Sequence, residues 1–305
     1  MRNAFADEVS HLGVSDKRLV LLSGDIGNKL FDRFKAAAPE RFFNCGVAEA
    51  NMMSVASGMA LSGLRPVVYT ITPFTTYRCI EQIRVGVCYH KAPVVIVGTG
   101  SGLSYAELGP THHSLEDLAM LRSIPGMRVY APIDAKDVRR CLRDALDTAQ
   151  PAYIRIGKKG EPDIPLPADH RASQWSTLRD GRDGCLIACG VMVSVALEVA
   201  RHLSPTIDLQ VIAVSMIKPL DESVLHELSK QFKSVFTLEE HSLIGGMGAA
   251  IAEWKADHHA PWRLKRFGTR DEFLHETGST IYARDQLGIG SENVAQLIRR
   301  EFAQT

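Results

Sequence analysis

RFFNCGVAEANMMSVASGM, residues 41–59, joins a short apolar stretch at Phe42–Phe43 to a helical pattern that begins near Val47. Counting from Glu49, positions i+3, i+4 and i+7 are Met52, Met53 and Ala56, so a carboxylate shares a helix face with an apolar stripe. A buried carboxylate without a partner is costly and escapes by taking up a proton, which suits general acid–base chemistry. A first-turn Glu is equally served by the helix N-terminus while pointing to water, and the local pattern admits both readings.

The same alternation of apolar run and helix extends in both directions. Strands are predicted at 19–24, 66–71, 92–100, 128–132 and 152–157, with helices near 48–62, near 74–88, from Ser114 and from Ala135. Residues 158–182, rich in Pro, Gly and charge, have no clear period and read as a linker. Beyond it, strands at 185–190, 209–216 and 234–240 alternate with helices near 193–203 and 221–231, after Gly245–Gly246 and near 292–303. Continuous apolar strands separated by helices argue for α/β architecture, with two domains of unequal size, each a mostly parallel sheet covered on both faces.

A chain of 305 residues accommodates two such domains, and 45% hydrophobic with 23% charged residues is ordinary for a globular protein. Lys plus Arg equals Asp plus Glu at 35 each, so no net field points to nucleic acid or an acidic membrane surface. The first residues show no apolar leader, and no run reaches the roughly 20 residues of a membrane span. The six cysteines lie in apolar contexts; Cys185 and Cys189, inside CLIAC, read as core residues rather than a metal pair. A reduced, cytoplasmic protein is expected.

Several polar segments could carry chemistry. SGDIGN (23–28) ends a strand, where open parallel sheets present ligands, but it is no phosphate-binding glycine fingerprint, and Asp25 could simply cap a helix. GTGSGLSYAELGPTHHSLED (98–117) is a long polar loop with adjacent His112 and His113 but no plausible metal-ligand set. His112 suits a substrate hydrogen-bonder or proton shuttle, and Ser114 suits the cap of the next helix with Asp117 as its N3 partner. Phe74 and Tyr77, three apart, are either core packing or a stacking floor for a planar heterocycle. Arg155, Lys158 and Lys159, near a strand's C-terminal end, suit an anionic group or form a solvated linker boundary. The glycines of EEHSLIGGMGAAIAEW (239–254) suit close helix packing.

In order along the chain, FFNCGVAEANM, ALSGLRPVVYTITPF, GPTHHSLEDLAMLRSIPGM, PAYIRIGK, IKPLDE and EEHSLIGGMG resemble the C-terminal half of a transketolase, a thiamine-diphosphate enzyme. The resemblance implies a pyrimidine-binding domain over 1–165, a linker over 166–182 and a transketolase C-terminal domain over 183–305. It implies that Glu49 hydrogen-bonds the cofactor pyrimidine N1′, favouring the imino tautomer that removes the thiazolium proton. It further implies that Phe74 and Tyr77 hold the pyrimidine ring and that Asp25 lies near the cofactor. His112, with His113 beside it, would bind substrate, and Lys158, with Arg155 near it, would meet a substrate phosphate. Two positions depart from the pattern: Leu108 replaces the acid before GPTH, and Lys158 replaces an Arg, giving a point charge in place of a bidentate fork.

The family's diphosphate and Mg²⁺ module, a GDG followed by an Asn, is not found in these residues. The resemblance therefore implies a split enzyme, with no metal ligands on this chain. An N-terminal transketolase subunit would bring that module, in an α2β2 heterotetramer that transfers a two-carbon ketol unit from a ketose donor to an aldehyde acceptor. Rival readings are a 2-oxoacid dehydrogenase β-subunit, a deoxyxylulose-phosphate synthase-like enzyme and a non-catalytic stabilising partner.

Overall fold

Strands β1 (Leu19–Ser23), β2 (Phe42–Asn44), β3 (Arg65–Ile71), β4 (Val95–Thr99), β5 (Arg128–Tyr130) and β6 (Ala152–Ile156) pair in parallel to build the first sheet. The chain continues through β7 (Ser176–Arg179), β8 (Gly184–Cys189), β9 (Leu209–Val214), β10 (Met216–Lys218), β11 (Ser234–Ser242) and β12 (Arg263–Thr269). The sheets run β10-β5-β6-β4-β3-β1-β2 and β12-β11-β8-β9-β7, giving seven and five strands. The structure is a computed structural model and describes residues 1–305 apart from Asn28, Ala168 and Thr305; Asn28, in the SGDIGN segment, thus lies outside the described residues.

Two elements differ from the expectation. The apolar run at 209–216 is not one strand: it divides at Ser215, and β10 crosses to the first sheet, where it pairs antiparallel with β5. The backbone carbonyl of Ser215 accepts from Ala131 N at 2.8 Å, which secures the crossing. Within the stretch expected to be linker, β7 lies antiparallel to β9. Its short, mixed sequence, STLR, is half-solvated at the sheet edge and so lacks the continuous apolar signature of the interior strands.

Both faces of each sheet are covered. On one face of the first, Leu19, Leu21, Val67 and Val95 meet Phe5, Phe34, Cys141 and Leu142 from flanking helices. On the other, Val20, Leu22, Val68 and Ile96 meet Met52, Met53, Ala56 and Ile83, and this core runs on into Ile187, Val214 and Ile251 of the second domain. The two domains thus share one apolar layer. All six cysteines are free, and five are buried. No helix among the described residues is long and apolar enough to cross a membrane.

The helix expected near 74–88 is broken into three pieces: Thr72–Thr75, a 3₁₀ turn at Tyr77–Cys79 and a π-helix at Gln82–Tyr89. The Ser57 hydroxyl, from the helix Glu49–Leu61 (13 residues), donates to the Gly86 carbonyl, inserting a side chain into that wide turn.

Between the domains lies a buried polar cluster. Arg155 on β6 donates through Nε to Asp117 (2.8 Å) and through Nη2 to the carbonyls of Ser114 and Glu240 (2.8 Å each). Tyr153 adds a hydroxyl to the same Asp117 oxygen at 2.5 Å. Removing one member of such a pair leaves a charge buried and uncompensated, so Arg155→Leu is expected to lower stability by about 3–5 kcal/mol. Denaturant unfolding measures this, and a loss below ~1 kcal/mol would show that the cluster is not holding the domains together.

Glu239 and His241, both fully buried on β11, respond oppositely to pH. Burial raises the Glu239 carboxyl from 4.5 to about 7, against opposing hydrogen bonds from Gly248 N and Met247 N, and lowers the His241 imidazole from 6.5 to about 4. Between about pH 4.5 and 7 the folded chain holds more protons on Glu239 than the unfolded chain does, so this group's contribution falls as pH rises. Between about pH 4 and 6.5 the folded chain holds fewer protons on His241, so that contribution rises with pH. The windows overlap and offset each other. In Glu239→Gln, stability should therefore drop on acidification from pH 7 to 5, and in His241→Asn it should rise, relative to wild type in urea unfolding; parallel pH curves for all three proteins would refute the pairing.

Candidate active site

At the C-terminal edge of the first sheet, the end of β1, the start of the Glu49–Leu61 helix, residues 72–79 after β3 and the loop after β4 come together. Glu49 occupies the first position of its helix and is 6% exposed, with Met52, Met53 and Ala56 fully buried along the same stripe. It is not, however, without a partner. Arg78 Nη1 lies 3.2 Å from each of the two carboxylate oxygens. Arg78 is half-exposed, and its guanidinium sits over the Phe74 ring, 4.0 Å from the centroid. A planar cation thus spans an aromatic face and a buried acid.

From Phe74 the row continues through the loop after β4. The His112 ring meets Phe74 edge-on at 5.5 Å and Tyr105 at 6.0 Å. Lys158 Nζ lies 4.3 Å over the Tyr105 ring and 2.6 Å from Glu107 Oε1. His112 is held through Nδ1, 3.0 Å from the Thr111 hydroxyl. Glu49, Phe74, His112 and Lys158 therefore form one contiguous surface, with Arg78 and Tyr105 as members that sequence reasoning missed. Arg78 is joined to Glu49 only through the tertiary fold, 29 residues apart. The Tyr105 signal was its place in a glycine-rich loop: at Gly100, φ is +70° and an added Cβ would lie 1.9 Å from the Tyr105 ring.

The remaining expected residues are not members of this row. Tyr77 turns away from Phe74 and donates its hydroxyl to Glu116 at 2.7 Å. With His113, Pro73, Pro110 and Phe273 it lines a separate cavity of about 210 Å³. His113 is buried, and burial lowers its imidazole below the usual value, keeping the ring neutral. Arg155 is enclosed between the domains, with Nε and Nη2 taken by Asp117 and two carbonyls, rather than turned toward a ligand. Asp25 is exposed beyond β1 and accepts from Asn44 Nδ2 at 3.2 Å.

Ser114 does not cap the next helix as expected. Its hydroxyl accepts from Gly102 N at 2.7 Å, closing the loop upon itself, and the helix starts at Asp117 with Glu116 at its cap position. Asp117 is committed to Tyr153 and Arg155 and so cannot serve as the N3 partner of a capping box. The second domain supports the loop: Glu240 Oε1 accepts from Leu103 N at 2.8 Å, and Arg284 holds the other oxygen at 2.5 Å.

Comparison with known proteins gives a consistent picture. The family described as transketolase, pyrimidine binding domain, matches residues 1–161, and transketolase, C-terminal domain, matches residues 173–294. One of the named subunits of an apulose-4-phosphate transketolase, from Phocaeicola vulgatus, is 32% identical over 300 residues, covering 97% of this chain and 95% of that protein. The 6-deoxy-6-sulfo-D-fructose transketolase subunit SqwH of Clostridium sp. (strain MSTE9) is 33% identical over 299 residues, covering 97% and 92%. A solved split gene transketolase, an inactive beta4 tetramer, superposes with a TM-score of 0.87 at 33% identity, covering 98% of this chain and 96% of that one.

Proposed function

The chain belongs to the transketolase family, and from that premise we propose that it is the β subunit of a split, thiamine-diphosphate-dependent transketolase. Its reaction is the transfer of a two-carbon ketol unit from a ketose to an aldehyde. In this reading residues 1–165 are the pyrimidine-binding domain, and the C-terminal domain begins by β7 at Ser176, inside the stretch expected as linker. The observation that carries the reading is the Phe74–Arg78–Glu49 stack. A planar group with N–H donors fits between that ring and that buried carboxylate, and the Arg78 guanidinium stands in for it.

Glu49 and Phe74 would hold the pyrimidine of thiamine diphosphate, which when bound supplies the carbanion chemistry for breaking and forming the carbon–carbon bond. Glu49 would meet the pyrimidine N1′ through its carboxylate, and the apolar side chains around it would shield that contact from water. The His112 Nε2 presents a hydrogen bond to a substrate hydroxyl. Lys158 and the exposed Lys159 offer positive charge to a terminal anion, and Leu108, 48% exposed, leaves the rim there apolar. The two relatives named for a phosphorylated and a sulfonated sugar support a donor ketose ending in such an anion.

A partner subunit would bring the diphosphate and Mg²⁺ contacts in an α2β2 assembly. Support comes from the relatives' designation as subunits, each matched over more than nine-tenths of its length, and from the neighbour that is inactive as a beta4 tetramer. Exposed Val47, Val55 and Leu61, on and beside the Glu49 helix, suit a covering surface. The six free thiols fit the reducing cytoplasm.

Purified alone, the chain is expected to show no ketol transfer, and the partner subunit should restore it; full activity without a partner would overturn the split reading. In the reconstituted complex Glu49→Gln should lower kcat by about 10²-fold or more with assembly intact by size-exclusion chromatography. Turnover near wild type would remove Glu49 from the mechanism. Lys158→Ala should raise KM for an anionic ketose about tenfold or more with little change in kcat, as expected for a lost charge-assisted contact. An unchanged KM would place the anion elsewhere.

A further inference from the structure

Trp254 organises a second constellation on the C-terminal domain. Glu222 is the first residue of the helix Glu222–Gln231, and His226 follows it by one turn on the same face. His258 ends the neighbouring helix, Met247–Asp257, four residues after Trp254. One nitrogen of each imidazole and one Glu222 oxygen lie within 4.8 Å of one another.

The indole orients all three. His258 stacks on Trp254 at 4.4 Å with 16° between the ring planes, and His226 meets Trp254 edge-on at 4.8 Å. Trp254 Nε1 donates to Glu222 Oε2 at 3.2 Å. His258 Nδ1 lies 3.0 Å from the Trp254 carbonyl, an acceptor only, so Nδ1 carries the proton and the Nε2 lone pair points outward. That lone pair faces Glu222 Oε2 at 3.9 Å. The spacing is too long for a hydrogen bond, yet within the span of two bonds of about 2.0–2.1 Å to one cation.

We propose that Glu222, His226 and His258 form a site for a divalent transition-metal ion of the zinc class, clipping the two helices together and leaving a coordination position open to water. Two imidazoles and one carboxylate select zinc, nickel, cobalt or copper over magnesium and calcium, which prefer all-oxygen shells. The second shell is already in place: one ligand imidazole is locked to a backbone carbonyl, and the carboxylate is held by an indole N–H. All three ligands are exposed, so a metal ion reaches them directly from solvent, and their donor atoms already lie within 4.8 Å of one another.

The test uses the full chain, stripped of metal with a chelator and titrated at pH 7.5 with ZnCl₂ by calorimetry and with NiCl₂ by tryptophan fluorescence. One equivalent of zinc should bind per chain, millimolar Mg²⁺ should not compete, and nickel should quench Trp254. Zinc should raise the wild-type melting temperature by several degrees. His226→Ala and His258→Ala, both at the surface, should fold normally by circular dichroism and lose binding at least tenfold, together with the quench and the thermal shift. Absence of stoichiometric binding in the wild type, or binding unchanged in both variants, would overturn the site.

Discussion

The Arg155 guanidinium, buried with Asp117 between the two sheets, is the contact on which the geometry of this molecule most depends. Its acceptors come from two segments: Ser114 and Asp117, where the loop after β4 enters a helix, and Glu240 on the far domain's β11. A buried ion pair of this kind repays its desolvation only when the acceptors around it are in place. It is therefore a weak source of net stability and a strong selector of arrangement. A docking that misplaced either sheet would leave a charge buried without a partner. The crossing of β10 into the first sheet and the shared apolar layer act in the same direction, so the domains are stitched together by backbone pairing, packing and charge.

From that anchor the position of the candidate site follows. Glu240 continues from the carbonyl that Arg155 binds, and its side chain takes the backbone N–H of Leu103. At Gly102 an added Cβ would lie 2.2 Å from the Glu240 carboxylate, so the loop approaches β11 more closely than any other residue would permit. Two residues earlier, at Gly100, the Tyr105 ring fills the place a Cβ would take. These contacts set Tyr105 against His112 and His112 against Phe74, at the carboxyl edge of a parallel sheet where ligands of this architecture gather. The candidate side chains sit at helix starts and on one long loop, which the second domain holds through Glu240 and Leu103 N.

How far this is legible in the sequence depends on the range of the interaction that decides each feature. Continuous apolar runs reveal strands buried on both faces, and so the two parallel sheets; the i, i+3, i+4 stripe puts Glu49 on an apolar face but leaves open whether it points inward, which the fold decides. Both patterns are local. The run at 209–216 reads as one strand because its apolar character does not change where it leaves one sheet for the other. Ser114 reads as a helix cap because local spacing allows it, yet the fold offers Gly102 N as a closer partner. Arg155 reads as an anion site because nothing in AYIRIG announces that Asp117 arrives from another segment. Phe74 and Tyr77 share a spacing but not a face: the chain leaves its first helical turn at Thr76 and aims Tyr77 at Glu116.

The pairing of Glu49 with Arg78 alters the chemical meaning of the buried acid. An unpartnered carboxylate on an apolar stripe would carry an uncompensated desolvation cost. A carboxylate facing a guanidinium need not, because the cation supplies what water no longer does. Yet the two partners differ in enclosure: Glu49 is sealed against Met52 and Met53, while Arg78 is half-exposed on a long, flexible stem. Withdrawing Arg78 into water therefore costs the cation little and the carboxylate much, unless another donor takes its place in the same movement. In the role proposed for Glu49, that donor is a flat heterocycle settling on Phe74. Exchange of one planar donor for another then keeps the acid satisfied before and after loading, and penalises the state in which it faces nothing. On that proposal the half-site would be satisfied without its ligand while remaining open to the one that completes it.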